Sequence, residues 1–314
     1  MTPPVGPLAV AVRSGFDECW HQGAAVAVDA SGVVTASVGD PDLPMYARSA
    51  LKPIQAAALL AKGLTLPPEE LALVCASHDG SLVHQAVVVR ILERYHLSVD
   101  DLQNTPTLPY GDDARATAIR GGEPPSSLQQ NCSGKHAGML ATCRINGWSI
   151  DDYLDPQHPV QRAIVDYLDA LGCPSQHVGI DGCGAPNHVV GLRPLAIAFG
   201  SLRANGAAPL MAMTAHPELV GGPDRDVTRW MRTVDGVATK DGAAGLMVGA
   251  RPDGAAFAFK IADGSEAARQ AVGGEAMRHL GVDATTVAAI ATVPVRGHGA
   301  PVGTVRAVPW TATR

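Results

Sequence analysis

The feature that most constrains this chain is where its strand-like segments fall. Three short β-like runs open it, "LAVAVRSG" (8–15), "AAVAVDASG" (24–32) and "GVVTASVG" (32–39), with Gly and Asp marking the turns. The "DASG" between the second and third reads as a tight hairpin turn. Strand character then returns only near the other end, at "GLMVGA" (245–250) and "AAFAFKIA" (255–262), separated by the turn "RPDG", with a closing strand at 302–308.

Between these ends the pattern is helical. "SALKPIQAAALLAKG" (49–63) carries apolar residues at helical spacing and stops at a Gly, and Pro53 falls in the first turn, where its missing N–H costs little. Further helices are expected near 68–75, 82–95, 135–146, 157–171, 190–204, 222–233 and 265–280. Strands at both ends with helices between them indicate an α/β or α+β fold whose sheet is mainly antiparallel and assembled from both termini. No internal repeat or linker-like stretch interrupts the chain, so a single domain over residues 1–314 is expected.

A length of 314 residues with 46% hydrophobic and 17% charged residues suits a globular protein with a sizeable core. The net charge of −6, with no basic run, argues against a nucleic-acid partner. No stretch approaches 18 uninterrupted apolar residues, so no membrane span is expected. The opening "MTPPVGPLAVAV" lacks the basic start of a secretory signal, and a cytoplasmic location is expected. Six scattered cysteines in a chain of this size suit reduced thiols better than a disulfide framework.

Five short constellations bear on chemistry. Ser49 and Lys52 form an S-x-x-K at a helix start, a spacing at which an amine and a hydroxyl share one face. The alternative is a Ser cap followed by a surface lysine. In "CASHDGS" (75–81) an apolar helix runs into a polar turn and presents Ser77. Ser77, His78 and Asp79 are not a relay triad, because adjacent residues cannot converge as its members must. "NCSGKHAGML" (131–140) invites a phosphate-loop reading, which fails because Gln129 stands where the first glycine belongs and His136 where the hydroxyl residue belongs. What remains is Cys132 and Lys135 three apart, either a thiol beside an amine or two metal ligands. "GIDGCGAPNH" (179–188) supplies Asp181 and Cys183 in a Gly-rich loop, and a Cys132–Cys183 pair with a third donor would make a three-ligand zinc site. On residue type alone His136 or His188 is the safer third donor. Finally, "VATKDGAAGLMVGA" (237–250) places Lys240 in a K-x-G ahead of an apolar strand, and Lys260 repeats the theme one strand later.

Taken together and in order, "RSALKP", "CASH", "NCSGKHAGML", "DGCGAP", "AHPELVGG" and "TKDGAAG" resemble the zinc-binding L-asparaginases of the Rhizobium type, over roughly residues 8–280. The resemblance implies a serine-β-lactamase-like fold and hydrolysis of L-asparagine by acyl transfer to serine. It implies two Ser-Lys tandems, Ser49 with Lys52 and Ser77 with Lys240. It implies Cys132, Lys135 and Cys183 as zinc ligands, with Asp181, Arg48 and His136 on the substrate side, and it suggests a homodimer. Rival readings are another serine acyl-hydrolase of glutaminase, β-lactamase or peptidase type, and a non-catalytic zinc-stabilised binding protein.

Overall fold

The structure, a computed structural model, describes residues 4–312. Its strands are β1 (Gly6–Arg13), β2 (Phe16–Val28), β3 (Val34–Val38), β4 (Pro44–Tyr46), β5 (His177–Ile180), β6 (Pro186–Gly191), β7 (Ala238–Gly242), β8 (Leu246–Ala250), β9 (Ala256–Ile261), β10 (Val293–Gly297), β11 (Ala300–Ala307) and β12 (Thr311–Ala312). The residues gather into two compact units. One comprises Met1–Ala50, Val190–Gly206 and Arg229–Arg314, and the other Leu51–Val189 and Ala207–Thr228.

The first unit is built on an antiparallel sheet in the order β10-β11-β1-β2-β9-β8-β7, with β3 pairing β2 and β12. The amino-terminal β2 lies against β9 from the other end of the chain, with Ala25 opposite Phe259 and Ala27 opposite Phe257. The sheet is therefore assembled from both termini, as the distribution of strand-like runs implies. The "DASG" turn forms because the Asp29 carboxylate accepts the Ser31 and Val33 N–H groups at 2.9 and 3.0 Å while Gly32 takes φ of 83°. Strand β8 is buried at every position and β9 at all but Lys260, so both read as continuous apolar runs rather than alternating ones. Helices Leu192–Ala204 and Glu266–His279 pack against these strands.

The second unit is mainly helical, with helices Lys52–Ala61, Pro68–Val74, Leu82–Arg94, Asp112–Gly121, Ser133–Asn146, Pro159–Ala170, Ala208–Ala215 and Pro217–Gly221 and the hairpin β5–β6. Proline occupies the first turn in five of them, those starting at Lys52, Pro68, Pro159, Ala208 and Pro217, where no intrahelical donor is lost.

Several elements differ from the sequence expectation, each for a physical reason. The helix expected from Ser49 starts at Lys52, because residues Arg48–Leu51 wind as a tighter 3-10 turn entered by Arg48 at φ of 48°. The helix expected over 222–233 starts at Asp226, after Gly222 at φ of 83° and Pro223. Helix Asp112–Gly121 carries no apolar stripe, and Ala118 is its one buried residue. The Gly-rich 179–188 segment, read as a loop, is largely a hairpin with its turn at Asp181–Ala185. Lys240 lies inside β7 rather than in a turn before the strand, and all five residues of β7 are buried despite two charges. Among the described residues no helix is long and apolar enough to cross a membrane.

Gly23 tests the central pairing of the sheet. A Cβ there would run into the Lys260 carbonyl oxygen and Leu8 Cδ1, so β2 and β9 can close only over a glycine. Gly23→Ala is expected to destabilise by about 1–3 kcal/mol, the range for overpacking a well-packed interior, and urea unfolding monitored by far-UV circular dichroism measures it.

Candidate active site

In the helical unit, Lys52 opens its helix and is 1% exposed. A buried ammonium must spend its donors on protein acceptors, and this one reaches three: the Ala76 carbonyl at 2.5 Å, the Ser77 hydroxyl at 3.1 Å and the Asn131 carbonyl at 3.4 Å. Ser77 follows the end of helix Pro68–Val74 and is held from two more directions. Its N–H donates to the Val220 carbonyl at 3.0 Å, and its carbonyl accepts from Arg225 Nη1 at 2.8 Å. Arg225 in turn lies over the Tyr110 ring, 4.9 Å from its centre. Lys52 and Ser77 are thus brought together, although the resemblance lists them in different tandems.

The neighbours of Ser77 form no triad with it. His78 Nε2 meets the Ser133 hydroxyl at 2.9 Å, while its Nδ1 accepts the Gly80 N–H at 3.1 Å. Burial holds the His78 imidazole well below its ordinary pKa. Asp79 points instead to His84 Nδ1, at 2.6 Å, and accepts the Ser81 N–H at 3.0 Å.

A second cluster sits in the same unit. Cys132 caps helix Ser133–Asn146, Lys135 lies one turn on, and Cys183 comes from the β5–β6 turn. Their exposures are 4, 3 and 2%. Gly134 lets the helix start press against the end of helix Pro68–Val74, since a Cβ there would strike the Leu73 carbonyl. Lys135 Nζ donates to Cys183 Sγ at 3.2 Å. The Cys132 thiol hydrogen bond and the Lys135 charge, against the cost of burial, pull Cys183 down to about 4, while that same bond and burial push Cys132 up to about 12. Burial opposes the Lys135 ammonium, but the charges of Cys183, Cys132 and Asp181 more than offset it and raise its pKa. These interactions favour charge on the Cys183 sulfur and on the Lys135 amine. Asp181, half-buried at the same turn, accepts the Gly182 N–H at 2.8 Å.

Neither histidine completes this set. His136 Nδ1 is 2.7 Å from the Tyr153 hydroxyl, and His188 Nδ1 is 3.0 Å from the Ser175 hydroxyl. No group of three His, Cys, Asp or Glu side chains able to hold a metal occurs among the described residues. The donors that do converge are Cys132, Cys183 and Lys135, so the residue-type preference for histidine is not met. Tyr153 accepts the Gln103 N–H at 3.1 Å, so we assign its own proton to His136 Nδ1. That leaves His136 protonated at Nε2, an atom that is buried with no protein partner.

The sheet unit holds the other candidates. Ser49 is buried in the Arg48–Leu51 turn, and Gly242 at the end of β7 approaches the Ala47 carbonyl just before it. Lys240 is fully buried and donates to the Asp241 carboxylate at 2.5 Å and the Asp241 carbonyl at 2.8 Å. Lys260 donates to the Ala244 and Ile261 carbonyls at 2.5 and 2.6 Å, which makes it a clamp on the turn between β7 and β8. Sequence reasoning missed Asp241, Arg225, Asn131 and Gln130. Asn131 stands inside the motif that drew attention, yet an amide carries no pattern that marks it.

A family model described as L-asparaginase II matches residues 9–307. No match was found among the curated proteins.

Asp79 yields a pH test of the loop that carries Ser77. Burial raises its pKa, but the hydrogen bonds from His84 and Ser81 outweigh that and set it at about 2, below the ordinary 3.8. A lowered carboxylate contributes stability that is complete above its unfolded pKa and lost as pH falls toward the folded one. Asp79→Asn is therefore expected to lower the melting temperature at pH 7 and to flatten its decline between about pH 4 and pH 2. Melting curves across that range, compared with the parent, measure the difference.

Proposed function

The chain belongs to the L-asparaginase II family, and we propose that it hydrolyses L-asparagine to L-aspartate and ammonia by acyl transfer to a serine. The observation that carries the mechanism is the buried hydrogen bond between Lys52 Nζ and Ser77 Oγ, 3.1 Å long. Lys52 Nζ lies within hydrogen-bond reach of the Ser77 hydroxyl and of the Ala76 and Asn131 carbonyls, so in this reading it exchanges a proton with Ser77.

The proton cycle follows from this. Ser49, in S-x-x-K spacing with Lys52, attacks the side-chain carboxamide carbon. Ser77 passes its hydroxyl proton to the departing nitrogen, Lys52 refills Ser77, and the amine so freed takes the proton of the attacking hydroxyl. The C–N bond breaks, ammonia leaves, and Ser49 carries an aspartyl ester. Water then opens the ester, releasing aspartate and restoring the serine. Asp181, Arg48 and the Nε2–H of His136 are assigned to the polar groups of the substrate.

Zinc fits the second cluster by donor chemistry. Two sulfurs and an amine nitrogen lie together and are buried, and soft thiolates with a nitrogen donor are what zinc takes. Cys132, Cys183 and Lys135 would hold it, and Lys135 would have to surrender its proton to do so. When bound, the ion supplies positive charge that can polarise a substrate oxygen.

Ammonia release from asparagine is the direct measurement, run beside glutamine and a chromogenic β-lactam. Asparagine is expected to be the preferred substrate, and a protein that opens the β-lactam but yields no ammonia sinks the proposal. Ser49→Ala, Ser77→Ala and Lys52→Ala should each lower kcat by about 10³-fold or more, since members of one relay fail together. Full turnover in both serine variants would refute the assignment. Separately, Cys183→Ser is expected to abolish zinc uptake measured by elemental analysis, and undiminished zinc would remove the metal assignment while leaving the serines untouched.

A further inference from the structure

Two residues just before Cys132 have hydrogen bonds that neither helix capping nor the mechanism above requires. Asn131 faces both clusters at once. Its backbone carbonyl accepts from Lys52 Nζ at 3.4 Å, while its side-chain oxygen lies 3.3 Å from the Cys132 sulfur. Gln130, itself 7% exposed, fixes that side chain by donating Nε2–H to the same Asn131 oxygen at 3.1 Å.

The orientation of Gln130 is itself determined from behind. Its Oε1 accepts the Cys132 N–H at 2.9 Å and Asn104 Nδ2–H at 3.0 Å. Asn104, 1% exposed, is pinned to Ser127 by a pair of bonds, Nδ2–H to the Ser127 carbonyl at 2.7 Å and Ser127 Oγ–H to the Asn104 carbonyl at 2.6 Å. With its oxygen facing two donors, the Gln130 amide can present only its N–H₂ to Asn131. The bond to Cys132 N–H is ordinary satisfaction of a helix start. The bond to Asn131 is not, because no helix N–H takes part in it.

We propose that Gln130 and Asn131 form an amide brace that sets the Lys52–Ser77 pair and the Cys132–Lys135–Cys183 cluster in mutual register, with Asn131 a positioning residue for both. The carbonyl on Lys52 and the oxygen on Cys132 belong to one residue. A displacement that follows the sulfur therefore moves the carbonyl that holds the lysine. The proposal takes the hydrolytic role of Lys52 and Ser77 from the preceding reading.

The informative variant is Gln130→Glu. It keeps acceptor oxygens for Cys132 N–H and Asn104 but removes the single donor to Asn131. Asn131→Ala removes the side-chain oxygen itself and serves should Gln130→Glu fold poorly, which thermal melting reports. Two readouts are taken on each protein: the thiolate-to-metal absorption that develops on titration with Co(II) alone, and kcat and KM for asparagine. Loss of a residue that orients a ligand or catalytic group costs about 10–100-fold. Each variant is expected to lower kcat by that factor with KM little changed, and to weaken Co(II) binding or shift its absorption.

A variant in which one readout moves and the other stays at the parent value overturns the brace, as does a parent protein that takes up no Co(II). If the parent binds Co(II) but releases no ammonia, the hydrolytic reading fails instead. Labelling of the serines by a fluorophosphonate then replaces kcat. The brace predicts that labelling slows about 10–100-fold in both variants, and an unchanged or absent labelling rate overturns it.

Discussion

The helical unit is organised around one buried positive charge. Removing an ammonium from water costs several kcal/mol even after relaxation, so it is tolerated only where acceptors are already in place. For Lys52 these acceptors come from two separate segments, the chain after helix Pro68–Val74 and the chain before helix Ser133–Asn146. Both carbonyls lie just outside helices, one after the end of helix Pro68–Val74 and one before the start of helix Ser133–Asn146. The carbonyls hold the lysine where a serine hydroxyl can reach it. Packing supports the same arrangement, since Gly134 permits the second segment to approach the first.

How much of this was legible depended on whether a residue's role shows in a pattern or only in a partner. The sheet was legible, because β-like runs at 8–39 and 245–262 leave few ways to bury both sets except side by side, as β2 and β9 do. Ser49, Lys52, Ser77 and the Cys132–Lys135 pair stood out because reactive side chains at helix boundaries are conspicuous. Strand β7 was not legible. "ATKDG" looks like a solvated turn until Asp241 is seen neutralising Lys240, and an adjacent carboxylate gives no hint that both are buried. Helix Asp112–Gly121 escaped for the opposite reason, having almost no buried face to produce a period. Lys260, which the sequence offers only as a candidate behind the reactive groups or on the substrate side, donates to the Ala244 and Ile261 carbonyls, contacts that no spacing encodes.

Three lysines in this chain are at least 97% buried, and each is compensated by a different chemistry. Lys52 is met by neutral carbonyls and a hydroxyl, Lys135 by a thiolate, and Lys240 by a carboxylate. These partners differ in what they let the lysine do. Neutral dipoles hold an ammonium without opposing its charge, so Lys52 can give up a proton to Ser77 and regain one without leaving a bare anion behind. A carboxylate at 2.5 Å favours a standing ion pair, which suits Lys240 to a fixed field rather than to proton transfer. A thiolate is intermediate: it favours the ammonium in the metal-free protein, yet it is also a strong metal ligand, so the same pair can exchange one proton for a cation. Substituting the partner should therefore change the behaviour of each lysine more than moving the lysine itself. The division of labour is set by the partners: carbonyls for Lys52, sulfur for Lys135 and oxygen anion for Lys240.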